Sequence, residues 1–426
     1  MKRTIQNLTM AAALLLGAAA MSSCAGFVDA LLGHEDTPAE TPTKPTTSDV
    51  NDGGSHEGSD MSLPPGAGFN RVDLSTLTED YTFKDGDVLT GTLDGTKTVI
   101  KLSVAPDAKV ILSGAQILGK DHGQFVNQWA GLTCLGNATI ILDGENTVRS
   151  FNRMYPCIQA GPDGSKLIIT GDGKLTTEGT SSAGIGVSNY IACGDIEIQG
   201  GDLTLKDSDV GIGSENSGSC GNITISGGTI TAQGGGAGIG CYGGESFCGN
   251  ITISGGTIST QSGGVGIGCS GEESSCGNIT ISGGTITAQG DYVGIGCYEY
   301  ESSCGDIIIT GGTITAQGDV DPGIGSGLFG SCGDISISWS ENFVSLTAIK
   351  GNRADYAIGA TDYRSCGEIT FDGTIIKERE KTESLVQEDA YGKLKFTIST
   401  TLPEGVDEEA GYKDNTWTLT PRSEDE

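Results

Sequence analysis

The chain has 426 residues, 70 of them glycine, and a formal net charge of −31 at pH 7. Acidity on that scale repels nucleic acid and anionic lipid, which excludes both as partners. An apolar fraction of 36% still leaves material for a sizeable core.

At the N-terminus Lys2 and Arg3 precede an apolar run reaching Ala20. The run is too short to span a membrane and has the form of a secretory signal. Its ending, Met21-Ser-Ser-Cys24, resembles the bacterial lipoprotein box, which makes residues 1–24 a lipoprotein signal and Cys24 the lipidated residue. An ordinary signal with an incidental cysteine is the alternative. Residues 25–67, rich in Thr, Pro, Ser and Asp, hold too few apolar side chains to fold and read as a tether. The expected address is the outer membrane or surface of a bacterial cell envelope. The membrane would be touched only through the lipid. Without the leader, 24 basic residues become 22 against 55 acidic ones, a net charge of −33.

From 68 to 376 the chain repeats. Cys-Gly-(Asn/Asp)-Ile begins at Cys220, Cys248, Cys276, Cys304 and Cys332, each 28 residues after the last. Earlier and later copies start at Cys193 and Cys366. A fixed period of this length marks stacked units that bury their apolar faces against one another. Within one unit Ile223, Ile225, Ile230 and Ala232 alternate with Thr224, Thr229 and Thr231, the period of two that a strand requires. Three short strands are predicted, at 222–226, 229–233 and 237–241, with glycines turning the corners. Equivalent strands 28 residues apart pair in parallel, so the fold class is all-β, a right-handed parallel β-helix of about 28 residues per coil. Ten or eleven coils fit the segment. Residues 377–426, with strand-like Lys393–Ile398 and Thr416–Thr420, are expected to form a C-terminal β cap over the last coil.

Absences bear on function. Between Asp207 and Ile349 there is no Lys, Arg or His, so the repeats lack the base and the cations that a polysaccharide lyase needs. No enzyme is expected in the repeats. The irregular coils near 120–160, with His122, Asp143, Arg149 and Arg153, keep a lyase or hydrolase open as the alternative. A surface spacer with no ligand is a third reading.

Twelve cysteines follow Cys24. Cys241–Cys248, Cys269–Cys276 and Cys297–Cys304 share a spacing that would suit one disulfide per coil in an exported protein. Cys193, Cys220, Cys332 and Cys366 hold the same line without such a mate, which favours a ladder of buried thiols. No metal site is read from them, since no His accompanies them.

The loops after each Gly-Ile-Gly carry Tyr242, Phe247, Tyr298, Tyr300 and Phe329 beside Glu245, Glu272, Glu273, Glu299 and Glu301. Rings next to carboxylates on adjacent coils make a platform for sugar rings, with the acids accepting hydroxyl hydrogen bonds. The same acids suit calcium, and a merely soluble loop edge is the plain reading. Asn222, Asn250 and Asn278, and the glutamines at 233, 261, 289 and 317, read as amide ladders.

The stretch Trp129-Ala-Gly-Leu-Thr-Cys-Leu-Gly-Asn-Ala-Thr-Ile-Ile-Leu-Asp-Gly-Glu-Asn-Thr-Val148, followed by the Cys-Gly-Asn-Ile-Thr-Ile-Ser-Gly-Gly-Thr-Ile-Thr-Ala repeats, resembles bacterial surface proteins described as carbohydrate-binding-domain β-helices. The resemblance runs from about Val72 to Trp417. It implies binding of plant-type polysaccharide such as cellulose or pectic chains, sometimes with calcium, on a pectate-lyase-like scaffold. It carries no functional residue across, because the shared motifs are core and corner residues. The combined expectation is a monomeric, lipid-anchored, non-catalytic protein that binds a glycan or acts as an adhesin.

Overall fold

The structure is a computed structural model that describes residues 70–123, 126–179, 181–338, 343–354, 356–361, 366–371, 374–375, 384–388, 395–399 and 416–421. All of them belong to the unit Pro64–Glu426. The expected signal, Cys24 and tether lie outside the described residues. Among the described residues no helix is long and apolar enough to cross a membrane.

The repeats stack as their period requires. Ile223–Ile225 pairs in parallel with Ile251–Ile253, which pairs with the strand opening at Ile279, and so on to Ile335–Ile337 and Ile369–Phe371. The register places isoleucine on isoleucine: Ile223, Ile251, Ile279, Ile307 and Ile335 form one fully buried column. A second column, Leu132, Ile158, Ile185, Ile212, Ile239, Ile267, Ile295, Ile324 and Ile358, marks nine successive coils of a right-handed parallel β-helix. The shorter strands Tyr81–Phe83 and Leu102–Val104 continue that line toward the N-terminus at uneven spacing. A third column runs Leu203, Ile230, Ile258, Ile286, Ile314, Leu346. Each row sits about 4.8 Å from the next, the spacing of hydrogen-bonded strands.

Two details differ from the expected three separate strands. In some coils the backbone keeps pairing through a corner, so that Thr229–Tyr242 and Ile279–Gly290 are single bent strands. There is also a fourth line: Ser219–Cys220, Phe247–Cys248, Ser275–Cys276, Ser303–Cys304 and Ser331–Cys332 form a narrow five-stranded parallel sheet of their own.

The motif Cys-Gly-Asx-Ile is explained by that fourth line. The side-chain oxygen of Asn222 accepts the backbone N–H of Asn250 at 2.9 Å, Asn250 that of Asn278 at 2.8 Å, Asn278 that of Asp306 at 2.9 Å, and Asp306 that of Asp334 at 2.9 Å. Each Asx thereby satisfies a corner N–H that no strand partner reaches. The preceding glycine leaves room for it, since a Cβ at Gly249 would lie 2.8 Å from the Asn222 Oδ1.

At the C-terminal end the pairing turns antiparallel. Thr416–Pro421 runs against Phe343–Ile349 and against Lys395–Ser399, which in turn pairs with Ser384–Glu388.

Candidate functional site

The loops after Gly-Ile-Gly stack by backbone hydrogen bonds, Glu245 N–H to Glu272 O at 3.0 Å and Glu273 N–H to Tyr300 O at 2.9 Å. Glu245, Glu273 and Glu301 occupy the same corner in successive coils, with φ of 55°, 58° and 57°. This left-handed region is sparsely used by residues other than glycine and Asn, and all three side chains are exposed. Glu299 (φ 99°) stands where the preceding coils have Gly243 and Gly271. Glu245, Glu273 and Glu301 therefore form a column, with Glu272 and Glu299 in the same loops, rather than a convergent cage. Among the described residues no group of three or more acidic, His or Cys side chains is placed to hold a metal ion.

The rings divide into two groups. Tyr300 and Phe329, 51% and 61% exposed, meet edge to face with centroids 6.2 Å apart. The Glu301 carboxylate beside it makes the Tyr300 hydroxyl hold its proton more tightly than usual. Phe247 is also exposed, on the fourth line of strands. Tyr242 and Tyr298 are instead folded back and half-buried. The Tyr242 ring lies so close over the backbone of Gly236 that a Cβ there would meet it at 1.9 Å. Tyr298 stacks on Tyr292 with centroids 3.7 Å apart and planes 7° from parallel. The continuous platform of rings foreseen from sequence is thus not assembled. Tyr300 is left outside with Phe329, the ring of the following coil.

Beneath the folded rings runs a strip the sequence did not announce. Register aligns Ser188, Glu215, Tyr242, Ser270 and Tyr298 on consecutive coils. Facing them six residues earlier are Ser182, Asp209, Gly236, Gly264 and Tyr292. Ser182 Oγ donates to Ser188 Oγ at 3.0 Å, and the stacked tyrosines show the same i, i+6 contact. Asp209 and Glu215 are the acidic version of this pair. Glu215 is 1% exposed and its Oε2 has no partner. Burial, reinforced by Asp209, pushes its carboxyl up to about 8, and burial raises Asp209 as well. A carboxyl protonated at neutral pH suits a general acid, but Glu215 is enclosed and offers no face to a polymer. Further along, Asp321 is fully buried. It is held by Arg353 through bonds of 2.8 Å and 2.5 Å and by Thr361 Oγ1 at 2.8 Å. The Arg353 guanidinium lies 5.9 Å and 5.8 Å from the Tyr292 and Tyr298 centroids, a cation–π geometry.

The cysteines form two interlocked buried columns. Cys241, Cys269 and Cys297 align in register, as do Cys248, Cys276, Cys304 and Cys332. All twelve described cysteines are free thiols, so the spaced pairs Cys241–Cys248, Cys269–Cys276 and Cys297–Cys304 are not disulfides in this structure. The first column has donor roles: Cys241, Cys269 and Cys297 give their S–H to the carbonyls of Ser275, Ser303 and Ser331 at 3.3, 3.0 and 2.9 Å. Burial pushes Cys134 and Cys157 up to about 12 and Cys269 to about 11, which keeps these thiols protonated and unreactive. Titrating the protein denatured without reductant is expected to give twelve free thiols besides any at Cys24. Six would mean that the three pairs oxidise.

In the irregular coils the candidate catalytic groups are each engaged elsewhere. Arg149 pairs with Glu178, Arg153 with Asp121 at 4.0 Å, Asp143 accepts from Ser113 at 2.6 Å, and His122 Nε2 lies 3.4 Å from Gly95 O.

Comparison with known proteins agrees with this architecture. Residues 223–244, 251–271, 279–297 and 307–328 match a family model described as the beta helix repeat. These are four successive coils of the stack. No curated protein and no solved structure matches the chain.

Proposed function

We propose that the protein is a lipid-anchored, non-catalytic component of a bacterial cell envelope that binds polysaccharide on the outside of its β-helix. The observation that carries this reading is the exposed Tyr300–Phe329 pair beside Glu301. Large rings left in solvent on a rigid scaffold, with a hydrogen-bonding acid at their edge, suit the apolar face and the hydroxyl rim of a sugar. The lead sequence ending at Cys24 and the spacer to residue 67 supply an anchor and reach.

Retention on insoluble polysaccharide tests it. The mature chain is expected to bind at least one of cellulose, xylan, mannan or pectate. Tyr300→Ala with Phe329→Ala should weaken that binding tenfold or more, about 1.4 kcal/mol, without a change in melting temperature, since both side chains are exposed. Binding to none of them would favour a ligand-free spacer, and release of unsaturated or reducing products would favour a lyase or hydrolase.

A further inference from the structure

Where the Thr–Gln strands turn into the Gly-Ile-Gly line, the surface drops into a hollow of about 410 Å³, within the range of small-molecule sites. Its wall is partly bare backbone. Gly263 cannot be replaced without a clash, because a Cβ there would lie 2.4 Å from Gly235 O. Ser262 lines the hollow, is 4% exposed, and its Oγ has no hydrogen-bond partner. Gln233 and Gln261, one coil apart on the rim, are exposed and their amides have no partner among the described residues.

The face leading to the hollow is uncharged. Its outward positions are Thr229, Thr231 and Gln233, then Thr257, Ser259 and Gln261, repeated at 285–289 and 313–317, on a chain that is otherwise strongly acidic. The charges that do reach the hollow are negative. Asp291 lines it, and Asp209 Oδ1 lies 2.8 Å from where a Gly235 Cβ would sit. Arg353, which reaches Tyr292 next door, is already held by both oxygens of Asp321.

We infer that this hollow is a subsite for a neutral sugar ring, whose hydroxyls exchange hydrogen bonds with the exposed amides of Gln233 and Gln261, and that its carboxylates turn uronates away. The inference rests on the glycan-binding reading above and narrows it, setting pectic chains aside in favour of neutral ones.

Calorimetric titration of the full mature chain with cellohexaose, mannohexaose and hexagalacturonate tests it. At least one neutral hexamer is expected to bind at least tenfold more tightly than hexagalacturonate. Gln233→Ala with Gln261→Ala should weaken that neutral binding tenfold or more at an unchanged melting temperature, and Asp291→Lys should raise the affinity for hexagalacturonate. Equal or tighter binding of hexagalacturonate to the unaltered protein would overturn the inference. So would undiminished neutral binding in the double glutamine variant. If binding instead vanishes only in the Tyr300→Ala, Phe329→Ala variant, glycan binding stands and the hollow falls. Silence from all three probes would overturn the hollow, and the glycan-binding reading would fall only if insoluble xylan, cellulose, mannan and pectate also failed to retain the protein.

Discussion

Gly268→Ala is expected to break the stack where Ile267→Ala, one residue away, only weakens it. Gly186, Gly213, Gly240, Gly268, Gly296, Gly325 and Gly359 form a column with φ between 128° and 141°. That is a region essentially closed to residues with a Cβ. Space forbids one too: a Cβ at Gly268 would lie 1.8 Å from the carbonyl oxygen of Gly296 in the next coil. Neither contact partner is a flexible side chain, so relief requires the coils to part and the ladder to open. Truncating Ile267 removes only packing, about 2–5 kcal/mol in a fully enclosed site. The glycine substitution adds a backbone clash to backbone strain and is expected to exceed about 5 kcal/mol, the exceptional end of single substitutions. Gly244→Ala is the control. Its Cβ would meet nothing nearer than 3.8 Å, and its effect should stay within about 0.5 kcal/mol. Urea unfolding of the three variants is the measurement. A Gly268→Ala midpoint at or above that of Ile267→Ala would overturn the account of this column.

The same contrast shows what the sequence makes legible. The period, the isoleucine columns and the asparagine ladder follow from 28-residue repetition alone, because in-register stacking turns sequence identity into contact. The beta helix repeat match covers those regular coils. The fate of a ring is different. Tyr242, Tyr298 and Tyr300 sit in similar loops, yet Tyr242 folds onto the bare backbone of Gly236 and Tyr298 onto the Tyr292 ring, while Tyr300 stays outside. The deciding residue is six positions earlier, and that i, i+6 contact is invisible until the bend between the two strands is known. Asp209 and Glu215 were hidden for the same reason and for another: they occur in a single coil, so repetition gives them no prominence.

That single carboxyl pair should dominate how stability varies with pH. Glu215 ionises near the ordinary carboxylate value of about 4.5 when unfolded but at about 8 when folded, raised by burial and then by Asp209. Below 4.5 both states hold the proton and the group is neutral to folding. Between 4.5 and 8 the unfolded chain releases a proton that the folded chain keeps, so stability falls as pH rises. Above 8 the folded protein must carry a buried charge whose Oε2 no donor reaches, and the full penalty applies. At about 1.4 kcal/mol for each pH step across that window, the loss is roughly 5 kcal/mol. Asp209, also raised by burial, adds in the same direction. Thermal melting from pH 5 to pH 8.5 should therefore show a steady decline in the unaltered protein. Glu215→Gln, which keeps the shape and cannot ionise, should flatten that decline and melt higher than the parent at pH 8.5. If the two profiles run parallel, Glu215 is already ionised in the folded protein and its carboxylate has found a cation or a donor that quenches the charge.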